Sequence, residues 1–362
     1  MAGCGGLSKR SVQLESRPRQ RDPYFDNVRA VLITFVVIGH ALEGMSSNLG
    51  DAVYLWIYSF HMPAFVIVTG YLSKTYRGSP RQYERMVSTL LLPFLIFQTY
   101  QLVVRVLVNG SSLTFNFWQP GWTLWFLVAL LIWRLITPIF KIIRYPLMFA
   151  VVISVLAPLD VGTDGFLAWG RVLSFLPFFV LGLLLERRHF EWLKTVRVKT
   201  LAAVVLIAGL GAAFLLNGHL ARSVLHMSRT YEYMKLEPGK AMLIRIIVLA
   251  AALLLSGAVF VLAPRKQFWG TSIGKHSLTI YLIHAAVIFP LRFTDFFGSL
   301  TGVGKIAVIG SSFLLVYLVS RAAFVRATTW LTSPPLRPWL IAYPEEPTPE
   351  ASPRSKAAGA EK

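Results

Sequence analysis

The sequence predicts an all-α integral membrane protein, a bundle of about ten transmembrane helices with both termini in the cytoplasm. Three observations predict it. Of the 362 residues 55% are apolar and only 15% charged, with a mean hydropathy of +0.58. The apolar residues gather in runs of about 20, the length an α-helix needs to cross a hydrocarbon core about 30 Å thick. The basic residues fall in alternate gaps between those runs, the positive-inside pattern. A strand would cross in half the length and with alternating polarity, so helices are the spanning element.

The runs place helices over 28–46, 52–73, 87–108, 122–141, 145–161, 170–186, 200–217, 241–262, 276–292 and 304–326. Before the first, residues 1–22 carry Lys9, Arg10, Arg17, Arg19 and Arg21 with no hydrophobic segment among them. They read as a disordered basic cytoplasmic tail, not a cleaved signal. Lys74, Arg77, Arg81 and Arg85 follow the second run, and Lys141 and Arg144 the fourth. Arg187, Arg188, Lys194, Arg197 and Lys199 follow the sixth, and Arg265, Lys266 and Lys275 the eighth. The gaps at 47–51, 109–121 and 162–169 have no Lys or Arg, so the basic side is the cytoplasmic one. Residues 331–362, rich in Pro, Glu, Ala and Ser, form a second disordered cytoplasmic tail, which leaves 23–330 as the membrane domain.

One outward loop breaks the charge rule. Residues 218–240 hold Arg222, Arg229, Lys235 and Lys240 beside Glu232, Glu237, His219 and His226. The loop reads either as a solvated segment with internal ion pairs or as the cover of an external mouth that meets an acceptor bearing phosphate or carboxylate. The net charge of +19 does not imply nucleic acid, because the basic residues are spread over alternate loops and not on one face. Cys4 is the single cysteine, which excludes a disulfide framework and a thiolate metal cluster. GxGxxG, Walker and HExxH motifs are absent, which argues against an ATP-driven machine.

Ionisable residues within the runs point to a site, because a charge at a helix centre costs about 2.5–3.5 kcal/mol on insertion scales. Asp26, Arg29, His40 and Glu43 lie on the first helix. From Arg29 to His40 the helix turns about 1,100°, about 20° past three full turns, and rises about 16 Å. The two therefore share a face, with Asp26 one turn before Arg29 and Glu43 one turn after His40. Arg29 belongs at the cytoplasmic edge and His40 near mid-membrane or slightly outside it. His61 of Phe60-His61-Met62-Pro63 and His284, with Tyr281 one turn below it, reach a similar depth from the second and ninth helices.

Three imidazoles in one layer suit two chemistries. They could bind a divalent metal, but no HxxxH pairing on one helix supports that, Glu43 would have to be recruited, and no metal is expected. They could handle protons, since imidazole titrates near neutral pH and acts as a general base. The plain alternative for His61 and His284 is a hydrogen bond to a neighbouring helix. Arg77, Arg81 and Arg85 read as topology markers or, with Arg29, as a phosphate clamp at a cytoplasmic mouth. Arg105, Arg134, Arg171, Arg245 and Arg321 lie in or at the ends of runs, Arg134 near Trp122, Trp125 and Trp133.

Arg29, ten residues, then His40 resembles the Arg/Lys-x10-His signature of the membrane acyltransferase-3 family. Tyr24 to Arg29, Phe60-His61-Met62-Pro63 through Gly70-Tyr71-Leu72, and Gly274-Lys275-His276-Ser277-Leu278 through His284 resemble its fucose 4-O-acetylase-like branch. Gly121-Trp122-Thr123-Leu124-Trp125-Phe126-Leu127 also looks familial, and the resemblance runs over about 23–326. It implies a cytoplasmic acyl-CoA donor, acetyl-CoA above all, and a hydroxyl acceptor on an exported or lipid-linked glycan at the plasma membrane. It implies an essential His40, with Arg29 supporting the donor. Two departures stand out. Thr69-Gly70-Tyr71 replaces the usual Ser-Gly-Phe/Tyr, and the basic residue that often opens the third helix is moved back to Arg85. No appended extracytoplasmic hydrolase-like domain is present, so transfer is expected to finish at the membrane or pass to a separate partner.

On this reading Arg29, with Arg81 or Arg85, holds the nucleotide phosphates, and Asp26 shares that mouth. The pantetheine arm, on the order of 15–20 Å, matches the rise to His40. His40 is general base or acyl carrier, Glu43 orients it, and His61, Tyr281 or His284 serves the oxyanion or the leaving thiolate. The rival readings are a carrier of sugar, lipid or ion and an assembly partner without catalysis. Against a carrier stand the missing inverted repeat and the basic cluster at one mouth.

Overall fold

The computed structural model describes residues 22–336 except 46, 113, 115, 161–165, 193 and 194. The tails predicted at 1–22 and 331–362 therefore lie, but for residue 22 and residues 331–336, outside the described residues. The described chain is all-helical. α1 (Pro23–Leu42) starts where the Asp22 side chain accepts the Tyr24 N–H and Pro occupies the first turn. α2 (Asn48–Leu72) starts at Ser47, whose hydroxyl accepts the Gly50 N–H. The third run is longer than the apolar pattern predicts. α3 (Pro80–Met86) is joined through a π turn (Val87–Leu91) to α4 (Leu92–Asn109), because a Ser79/Gln82 capping box begins the helix among polar residues.

α5 (Trp125–Ile142) and α6 (Pro146–Leu156) follow as predicted. The single helix expected over 170–186 is two, α7 (Trp169–Ser174) and α8 (Leu176–Leu184), bent by 55°. Pro177 has no N–H for the Leu173 carbonyl, and its ring crowds the preceding turn. Neighbours satisfy carbonyls at the break. Trp133 Nε1 donates to Val172 O at 3.0 Å and Ser154 Oγ to Ser174 O at 2.7 Å.

α9 (Arg187–Trp192), α10 (Val196–Leu216), α11 (Arg222–His226), α12 (Pro238–Leu262), α13 (Thr271–Lys275) and α14 (Ser277–Leu291) come next. The helix expected over 304–326 stops early, as α15 (Gly302–Val319). Ser320 Oγ turns back to Tyr317 O at 2.7 Å and Arg321, its backbone extended, lies 3.6 Å from the Tyr317 ring before α16 (Ala322–Thr332).

Among the described residues, seven helices are long and apolar enough to cross a membrane: α1, α2, α3–α4, α5, α10, α12 and α15, with the bent α7–α8 pair an eighth. The other two predicted runs correspond to shorter apolar helices, Pro146–Leu159 and Ser277–Leu291.

α1 is buried on nearly every side, packed by α2, α13, α14 and α15. Two glycine contacts let the helices pack this closely, one against α1 and one between α2 and α8. A Cβ on Gly274 of α13 would run into the Asp26 carbonyl of α1. A Cβ on Gly70 or Gly182 would strike the facing backbone where α2 crosses α8. The N-terminal end of α1 is tied down by Asn27, whose Nδ2 donates to Pro264 O (2.7 Å) and Lys266 O (2.9 Å) while Thr271 Oγ1 donates to its Oδ1 (2.7 Å).

Candidate active site

α1 ends two residues after His40, so the imidazole sits in its last turn and Glu43 caps it. Both contacts of His40 use Nδ1, 3.3 Å from Glu43 Oε2 and 3.0 Å from the Tyr58 hydroxyl. A carboxylate only accepts, so Nδ1 carries the hydrogen and Nε2 keeps its lone pair. Trp122 Nε1 donates to the same Glu43 oxygen at 3.0 Å, and Arg292 Nη1 lies 2.8 Å from it. The Arg292 guanidinium also covers the Trp122 ring at 4.5 Å, and Trp122 meets the His40 ring edge-on at 4.5 Å. Burial alone would raise the Glu43 carboxyl. The His40 contact and the Arg292 charge outweigh it and hold the carboxyl at about 2.

His40 and Glu43 line a cavity of about 120 Å³ with Tyr58, His61, Trp122, Arg171, His226 and Tyr281. The 218–240 loop reaches this chamber through α11. His226 Nε2 lies 2.7 Å from the Tyr54 hydroxyl, and Tyr54 stacks on Tyr58 at 4.0 Å. Burial and then the Arg171 charge push His226 down to about 4, so it is neutral near pH 7 and its Nε2 accepts the Tyr54 proton.

A second cavity, about 220 Å³, adjoins the first. Val36, Met62, Phe126 and Tyr281 line both, and form a common wall between them. Its cations are Arg29, Arg85 and Arg134, brought together from α1, α3 and α5. Arg29 pairs with buried Asp26 one turn away, which aims the guanidinium. Arg81 is exposed and off the lining, one turn before Arg85.

The other predicted residues take distinct places. His61 lines the chamber, but its Nδ1 donates within its own helix to Ile57 O at 2.8 Å. His284 Nδ1 likewise meets Ile280 O at 3.0 Å. His284 is off the chamber lining, fully buried, and stacks on His40 with centroids 5.4 Å apart. The Tyr281 hydroxyl donates to the Thr123 carbonyl. Among the described residues, no group of three His, Cys, Asp or Glu converges as metal ligands would. Sequence reasoning did not single out Tyr58 or Arg292 and gave no role to Arg171. His226 was legible only as one charge in a long loop.

The profile of a family described as an acyltransferase domain matches residues 22–325. Nodulation protein NolL of Sinorhizobium fredii (strain NBRC 101917 / NGR234) is 30% identical over 194 residues, 48% of this chain and 51% of that protein. Nodulation protein NolL of Mesorhizobium japonicum (strain LMG 29417 / CECT 9101 / MAFF 303099) is 36% identical over 104 residues, 26% of this chain and 28% of that protein. The chain thus spans about half the length, or less, of these curated relatives. No solved structure matches.

Proposed function

The chain belongs to the acyltransferase domain family, and on that premise we propose that it moves an acetyl or other acyl group from cytoplasmic acyl-CoA to a hydroxyl of an exported or lipid-linked carbohydrate. The proposal includes ten crossings, the short helices and the bent pair included, with both termini cytoplasmic at the plasma membrane. One observation carries it: a cavity with three arginines adjoins, across a shared wall, a cavity that presents an oriented imidazole.

Arg29, Arg85 and Arg134 suit the phosphates of a coenzyme A nucleotide, which guanidinium groups bind through charge-assisted hydrogen bonds. Pantetheine would pass between Val36, Met62, Phe126 and Tyr281 and set the thioester beside His40. His40 Nε2 takes the proton of the acceptor hydroxyl as its oxygen attacks the thioester carbon. The C–S bond then breaks, and the imidazolium returns the proton to the departing thiolate. Glu43, fixed by Trp122 and Arg292, keeps the hydrogen on Nδ1 and stabilises the imidazolium. His284 backs the imidazole, and His61 and Tyr281 shape the walls.

The test uses purified protein in nanodiscs with radiolabelled acetyl-CoA. Wild type binds the donor and slowly transfers acetyl to water or added sugar. His40→Ala binds the donor and transfers nothing. Full transfer by His40→Ala would refute this mechanism.

A further inference from the structure

Arg171 enters the reaction chamber from α7, the N-terminal arm of the bent pair. Its guanidinium lies 5.1 Å from the centre of the Trp125 ring. Among the described residues it forms no ion pair. Glu43, the only carboxylate on the chamber lining, is already taken by Arg292, Trp122 and His40. An unpaired cation inside the apolar layer is costly and marks a ligand or ion pathway. A broken helix is also where membrane proteins build midplane sites for charged substrates.

Which anion it meets follows from its position. The phosphate-binding arginines line the other cavity, across the wall of Val36, Met62, Phe126 and Tyr281. Arg171 is instead on the chamber that His226 of the outward loop helps to line, where an exported acceptor would enter. We propose that Arg171 binds an anionic group, a carboxylate or phosphate, carried by the acceptor glycan close to the hydroxyl that is acylated. This rests on the acyl-transfer reading and narrows it to acidic acceptors. The rigid stack on Trp125 holds the guanidinium in place, and neutral His226 adds no competing charge.

The test compares envelope glycans by mass spectrometry from cells without the gene and from cells complemented with wild type, Arg171→Gln or Arg171→Lys. Acetyl-CoA binding is measured in parallel on each purified protein. The expected result is gene-dependent acylation of a repeat unit bearing a carboxylate or phosphate. Arg171→Gln lowers it at least about 10-fold, Arg171→Lys less, and donor binding is unchanged. Acylation of a neutral unit overturns the inference and leaves the acyl-transfer reading standing. Loss of donor binding in Arg171→Gln assigns the residue to the donor and also overturns it. Should wild type neither bind acetyl-CoA nor change any glycan, the acyl-transfer reading falls with it.

Discussion

Replacing Glu43 by Gln keeps the shape of the side chain and removes its charge. In the structure one oxygen, Oε2, meets His40 Nδ1 (3.3 Å), Trp122 Nε1 (3.0 Å) and Arg292 Nη1 (2.8 Å). An amide oxygen can still accept from Trp122 and Arg292, so the pocket survives. An amide nitrogen turned toward His40 would donate instead, driving the imidazole to the tautomer with its lone pair at Nδ1. Even without that turn, the imidazolium formed in the transition state loses its charged partner. A hydrogen bond to a charged group contributes about 1.5–3 kcal/mol, which converts to a rate loss of about 10- to 150-fold. The assay is single-turnover transfer from radiolabelled acetyl-CoA under saturating donor, with donor affinity measured separately. Turnover should fall within that range and affinity should hold. Glu43→Asp should recover part of the rate. An unchanged rate, or a loss seen only in donor affinity, would refute the orienting role.

Arg29→Gln, Arg85→Gln and Arg134→Gln should each weaken acetyl-CoA binding about 10- to 100-fold without changing turnover at saturation, as equilibrium binding and kcat would show. Stability should fall with acid in two stages, read as thermal melting in nanodiscs from pH 8 to 3. His226 is held at about 4, below its ordinary value, so the unfolded chain takes up the proton first and stability declines as pH drops from about 6.5 toward 4. The Glu43 carboxyl is held at about 2, so its contribution is complete above about 4.5 and is lost below it. His226→Gln should shrink the first stage and leave the second. Gly274→Val should cost at least about 1–3 kcal/mol of stability, because any side chain there meets the α1 backbone at Asp26. A normal melt for that variant would contradict the packing.

The vertical order of the site was readable because helical geometry is local. Arg29, His40 and Glu43 share a face by counting residues, and the structure puts them where one turn per 3.6 residues requires. Apolar runs likewise located the helices, though not their ends. Hydropathy ignores caps, so it misplaced the start of the third run and left Glu43 inside a helix that it terminates. What sequence could not supply were contacts made across the fold. Arg292 reaches Glu43 from beyond the end of α14, and His226 meets Tyr54 only because a loop folds back over the chamber. Arg171 had a signal, a cation in an apolar run, but its direction depends on the bend at Pro177. His61 lines the chamber of His40 and His284 stacks on His40, yet each spends its Nδ1 hydrogen on its own helix, a choice of rotamer and tautomer invisible in a residue string.

The most direct measurement is a cryo-electron microscopy structure of the full chain with a non-hydrolysable acetyl-CoA analogue. The account predicts nucleotide phosphates among Arg29, Arg85 and Arg134, pantetheine between Met62 and Tyr281, and the acyl carbon within about 4 Å of where an acceptor oxygen bonded to His40 Nε2 would sit. An analogue whose acyl end stops in the arginine cavity, or lies on the far side of His284, would contradict it.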